Sequence, residues 1–214
     1  MKHVSMLAAV LSLATAAVAQ KVDASFVIGV GFANDAKVLV AGVCLTPCSP
    51  TSTFETQPMV FFAGSGAVRL LNFKVASVHL EVPIEGGPSA DVTQINVFGA
   101  RIPGGSISSL FITPSVRLKL VPNAAISPWG SIGGGWGRYK INSFNAAINK
   151  AALQFGGGVD FKTRIPLLGF RVEARDFVTD QPDFANFNVL PPGSRLIDSR
   201  RHNVLAGGGI VLHF

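Results

Sequence analysis

Apolar residues recur at every second position along most of this 214-residue chain, in segments of about ten residues or more separated by turn chemistry. A strand places successive side chains on opposite faces, so each segment has one apolar and one polar face. Eight such segments fall near 22–33, 58–71, 76–85, 107–121, 127–141, 151–164, 170–179 and 201–214. In the fourth, Leu110, Ile112, Val116, Leu118 and Leu120 oppose Thr113, Ser115, Arg117 and Lys119. In the sixth, Leu153, Phe155, Val159 and Phe161 oppose Gln154, Asp160 and Lys162. The seventh sets Phe170, Val172, Ala174 and Val178 against Arg171, Glu173 and Arg175. A soluble barrel would turn the apolar face inward and a membrane barrel would turn it outward. Alternation alone does not choose between them.

The connections alternate in length. Residues 34–57, 86–106, 142–150 and 180–200 are long, whereas 72–75, 122–126 and 165–169 are tight turns. Membrane barrels have this asymmetry, with short periplasmic turns and longer outside loops, and it brings both chain ends to the turn side. The mean hydropathy is +0.42 and only 14% of residues are charged, yet no long uninterrupted apolar stretch follows residue 20. A helical membrane protein is excluded on that ground. Residues 1–19 have the layout of a secretory signal: Lys2 and His3, an apolar run from Met6 to about Ala16, then Ala17-Val18-Ala19 before Gln20. The run is shorter than the ~20 residues a spanning helix needs. Cleavage after Ala19 is expected, leaving one domain over 20–214. For an exported, very apolar β protein, a closed sheet that satisfies every backbone group in lipid is the more economical account. The expected fold is therefore an all-β, eight-stranded, antiparallel, transmembrane up-and-down β-barrel.

Cys44 and Cys48, in Cys-Leu-Thr-Pro-Cys, are expected to form a small loop disulfide. Their flanks offer no histidine or acidic cluster, so no metal site is expected, and nothing calls for a cofactor. The formal charge of +6 is spread among strands and loops without a basic run, which gives nucleic-acid binding no support.

The final strand, Val204 to Phe214, carries apolar residues at alternate positions and ends on an aromatic. Glycine triplets at 133–135, 156–158 and 207–209 are each bracketed by strand-like residues. They indicate close backbone approach and room for long inward side chains rather than linkers. With Phe155-Gly156-Gly157-Gly158-Val159-Asp160-Phe161, Arg171-Val172-Glu173-Ala174-Arg175-Asp176-Phe177 and terminal Phe214, the chain from Lys21 onward resembles the small outer membrane protein A-like β-barrel family, without a peptidoglycan-binding domain. The resemblance implies location in the outer membrane of a Gram-negative-type bacterium, contact with outer-membrane lipids, and recognition of the strand ending at Phe214 by the barrel-assembly machinery. A monomer is expected. Its motifs are architectural rather than catalytic.

Three details fit less well. Pro114 falls inside a segment where its missing N–H breaks a ladder bond. Interface girdles favour Trp and Tyr, yet the chain has two Trp, one Tyr and 16 Phe. Residues 37–45 are apolar enough to form or extend a strand, and an added pair would make ten.

For function, face parity collects Arg69, Glu81, Arg117, Lys119, Asp160, Lys162, Arg171, Glu173 and Arg175 on the inward side. They are expected to form an internal ion-pair network that plugs a narrow lumen, leaving at most an anion-favouring leak. The alternative is a lipid-modifying hydrolase or acyltransferase in the wall. Ser77, His79 and Glu81 share one face, but their spacing of about 7 Å is expected to prevent direct bonding along the strand. A secreted lipocalin-like carrier is a third reading.

Overall fold

The computed structural model describes residues 21–40, 51–142, 146–182, 195–197 and 199–214. The signal-like segment and Cys44 and Cys48 lie outside the described residues. Twelve antiparallel strands are present among those described: β1 (Val22–Ala33), β2 (Ala36–Leu39), β3 (Thr51–Thr56), β4 (Met59–Asn72), β5 (Ala76–Ile95), β6 (Arg101–Ile112), β7 (Ser115–Leu120), β8 (Ile126–Ile141), β9 (Ala146–Lys162), β10 (Leu168–Asp180), β11 (Arg195–Leu196) and β12 (Arg200–His213). No helix among them is long and apolar enough to cross a membrane, so any crossing is made by strands.

The sheet closes on itself. β1 is bonded to β12 on one side and to β4 on the other. From β4 the ladder runs to β5, then to β6 and β7, β8, β9, β10 and back to β12. Closure removes the exposed edge that an open sheet would present along this path. β6 and β7 are two halves of one wall, since both lie between β5 and β8. The gap between them falls at Thr113 and Pro114, as the missing proline donor requires. Pairing bridges the gap: Thr113 N donates to Pro83 O at 3.4 Å and Gly134 N to Pro114 O at 3.2 Å.

The long connection expected over 86–106 is mostly strand. β5 continues for 20 residues to Ile95, and β6 begins at Arg101 after a tight turn in which Asn96 Oδ1 accepts the Phe98 and Ala100 amides. Gly86-Gly87-Pro88 looks like a turn in sequence, but register shifts at Gly87/Ala90 and Asp91/Thr93 absorb it as irregularities within a continuing ladder. The apolar stretch beginning at Lys37 overlaps β2, which pairs with β3 and β11 outside the closed path.

Burial decides the direction of the two faces. Phe26, Ile28, Val30 and Phe32 of β1 are 42–51% exposed, and Phe170 and Val172 of β10 are exposed as well. Arg117, Arg171 and Arg175 are 0–2% exposed. This inverts the usual distribution in a water-soluble protein, where a buried arginine is the exception.

The interior has two layers. On the loop side lies an apolar cluster that includes Val27, Met59, Phe61, Phe111, Tyr139, Phe177 and Leu205, with Ala36 and Val38 of β2 and Phe54 of β3 packed into it. Phe111 stacks on Phe177 with ring centroids 4.6 Å apart and meets Tyr139 edge-on at 5.8 Å. Toward the turn side the interior is charged.

Candidate functional site

Every buried charge needs a partner, because an unpaired ion in a low-dielectric interior costs several kcal/mol. The strand register supplies partners from different walls. Arg117 of β7 donates through Nη2 to Asp23 Oδ2 of β1 at 2.8 Å and through Nη1 to Glu81 Oε1 of β5 at 3.2 Å. The same Glu81 oxygen accepts Arg175 Nη2 at 3.0 Å and Ser65 Oγ at 2.9 Å, with Arg171 Nη1 3.5 Å away. Asp160 of β9 accepts Lys119 Nζ at 2.7 Å, Arg171 Nε at 2.7 Å and Nη2 at 3.1 Å, and Trp129 Nε1 at 3.2 Å. Glu173 takes Arg175 Nη2 at 3.1 Å, and Glu85 Oε1 lies 3.0 Å from Arg175 Nε in an ion contact without hydrogen-bond alignment.

Trp129 sits among these cations. The guanidinium carbons of Arg117, Arg171 and Arg175 lie 5.6, 5.0 and 5.1 Å from its ring centroid, within cation–π range of an aromatic face. The glycine triplet of β9 makes this possible. A Cβ on Gly158 would lie 2.7 Å from the Trp129 ring, and one on Gly156 would lie 3.0 Å from Arg175 Cγ.

Of the nine inward charges expected from parity, seven are brought together: Glu81, Arg117, Lys119, Asp160, Arg171, Glu173 and Arg175. Arg69 and Lys162 are not. Neither has a carboxylate in ion-pair contact among the described residues; Lys162 Nζ donates to Pro122 O at 2.7 Å, and Arg69 Nε has no acceptor. Sequence reasoning passed over Asp23, Glu85 and Trp129. Parity with Val27 on β1 and with Glu81 on β5 carried the signal for the two acids; nothing in the sequence marked Trp129 as an interior hub.

Ser77 and His79 correct a sequence expectation. Ser77 Oγ and His79 Nε2 are 2.9 Å apart on β5 despite the two-residue spacing, because the imidazole extends along the strand toward the hydroxyl. His79 Nδ1 lies 3.8 Å from Asp23 Oδ2, beyond hydrogen-bond distance. Both side chains are buried, at 0% and 1% exposure, on the interior face. His213 Nδ1 is 2.8 Å from Asp23 Oδ1 at the turn-side rim, and His202 pairs with Asp176 at 2.7 Å on the outside.

No family model matches the chain, and no curated protein matches it in sequence. Solved structures do match. The outer membrane protein OprG from Pseudomonas aeruginosa is 9% identical with a TM-score of 0.54, the match covering 91% of this chain and 96% of that one. Neisserial surface protein A is 10% identical, covering 89% and 99%, with a TM-score of 0.47. The outer membrane protease OmpT from Escherichia coli is 9% identical, covering 91% and 97%, with a TM-score of 0.43. The closed pairing, the outward apolar belt and the OprG likeness together give this chain the fold of an outer-membrane β-barrel protein.

Proposed function

We propose that the chain is a non-enzymatic barrel of the outer membrane whose lumen is sealed by its own side chains. It is exported with residues 1–19 removed. The mature domain, 20–214, is an eight-stranded transmembrane barrel with β6 and β7 counted as one wall, inserted as a monomer through recognition of the strand ending at Phe214. The small outer membrane protein A-like family is the class it resembles. Its role is structural or surface-presenting, with solute passage limited to a leak. The carrying observation is the filled interior, with the ion-pair belt toward the turns and the Phe61, Phe111, Phe177 and Leu205 cluster above it. A barrel of this strand number is just wide enough for side chains to fill.

The test is planar-bilayer recording of the refolded mature protein. The expected result is the absence of stable large-conductance openings; wide, long-lived channels overturn the reading. Lipid modification is the second reading, and the Ser77–His79 bond is the observation that favours it. Against it, both groups face the packed interior, with the wall between them and the lipid. Ser77→Ala and His79→Ala are expected to leave membrane lipid composition unchanged, and altered acyl-chain composition would establish the enzymatic reading instead.

A further inference from the structure

At the turn-side mouth, below the ion-pair belt, the wall opens into a cavity of about 310 Å³. Lys21, Arg69, Lys119 and Lys162 line it, with Asp23 as the one acidic side chain. Asp23 is already engaged by Arg117 and His213, and Lys119 by Asp160. Lys21, Arg69 and Lys162 have no carboxylate in ion-pair contact among the described residues. Positive side chains thus outnumber negative ones around the cavity, in contrast to the paired belt above it.

One of its donors also stands idle. Arg69 Nε is a buried atom without a hydrogen-bond partner among the described residues. Lys162 gives one N–H to Pro122 O, and an ammonium has two more to offer. Such donors select an anion with several acceptor oxygens, and a tetrahedral phosphate fits that demand. The volume lies at the lower end of small-molecule pockets. The rim adds a second property. Ile165, Leu167 and Phe214 line the same cavity and are 57–61% exposed. A basic cup with an apolar lip suits an amphiphile, whose charged head enters the cup while its chains follow the outer wall.

We propose that this mouth seats the phosphate headgroup of an anionic phospholipid of the inner leaflet, held by Lys21, Arg69 and Lys162. The inference rests on the membrane reading above.

The protein is refolded into vesicles of phosphatidylcholine containing phosphatidylglycerol, then released in mild detergent and weighed by native mass spectrometry. Heat-modifiable mobility establishes folding first. Retained phosphatidylglycerol in preference to phosphatidylcholine is expected. Arg69→Gln with Lys162→Gln should reduce that preference about 30-fold, taking each cation near an anionic surface at its usual worth. Should the double variant not fold, Lys162→Gln alone and a salt titration of the wild type replace it. Loss of the preference in either supports the site, and persistence in both overturns it. Equal retention of the two lipids by folded wild type also overturns it. Displacement of the lipid by an equal concentration of inorganic phosphate assigns the cup to free anions and overturns the lipid source. If the wild type yields no folded form in lipid, the membrane reading itself fails, an outcome distinct from a folded barrel without lipid preference.

Discussion

Asp160→Asn isolates the electrostatic contribution of the belt, because the replacement keeps the side-chain shape and removes one charge. Asp160 serves Lys119 and Arg171 together and accepts the Trp129 indole. Arg171 retains Glu81 at 3.5 Å and Glu173 at 3.9 Å. Lys119, only 3% exposed, has no other carboxylate in ion-pair contact among the described residues. The variant therefore strands a buried ammonium, which costs about 3–5 kcal/mol. Glu81→Gln comes next, since Arg117, Arg171 and Arg175 each lose a shared anion but keep Asp23, Asp160 and Glu173 respectively. Glu173→Gln should cost least, about 1–2 kcal/mol, as Arg175 still faces Glu81 and Glu85. Urea titration of each folded variant in vesicles measures the order, followed by the folded band on unheated gels and by tryptophan emission, to which Trp129 contributes from inside the belt. A wild-type midpoint for Asp160→Asn, or a Glu173→Gln variant weaker than it, refutes the network account.

Gly158→Ala should destabilise by about 1–3 kcal/mol because its methyl group would overlap the Val172 carbonyl oxygen and the Trp129 ring, and equilibrium unfolding with a shifted native emission checks it. Ile28→Arg places a charge on the exposed belt of β1 and should cost about 2–4 kcal/mol if residue 28 lies near the bilayer midplane; an unaltered urea midpoint in lipid would argue against a membrane-facing wall. Reduction of the disulfide expected between Cys44 and Cys48 should leave heat-modifiable mobility unchanged, since so short a loop constrains the unfolded chain little; loss of the folded band on reduction contradicts that.

The strands that carry long, strict alternation were legible from residues alone. β10 shows why: Phe170, Val172 and Ala174 face out while Arg171, Glu173 and Arg175 are buried. The loop-side half was less legible. Gly86-Gly87-Pro88 has the composition of a turn, and only the partner strand β6 reveals that the ladder continues through it. Parity gave seven of the belt's charges, but it also offered Arg69 and Lys162, passed over Asp23 and Glu85, and did not give the vertical order. Lys119 and Arg171 stand as close to the turns as Arg69 and Lys162, yet Asp160 draws the first two into the belt, because strand stagger sets which side chains share a level. The Ser77–His79 contact was missed for a related reason: backbone spacing says where Cβ atoms lie, not how far an imidazole leans along the strand.

The belt also places a condition on assembly. Its members come from β1, β5, β7, β9 and β10, and Asp23 at the start of the chain meets Arg117 ninety-four positions away as well as His213 near the end. A hairpin inserted alone would carry charges whose partners reside on strands still outside the bilayer, and a sheet one strand short of closure would leave β1 and β12 apart. The cross-strand pairs are thus complete only with the closed ring. An intermediate paired in the wrong order would leave arginines or carboxylates of the belt without these partners, at a cost of several kcal/mol for each buried ion.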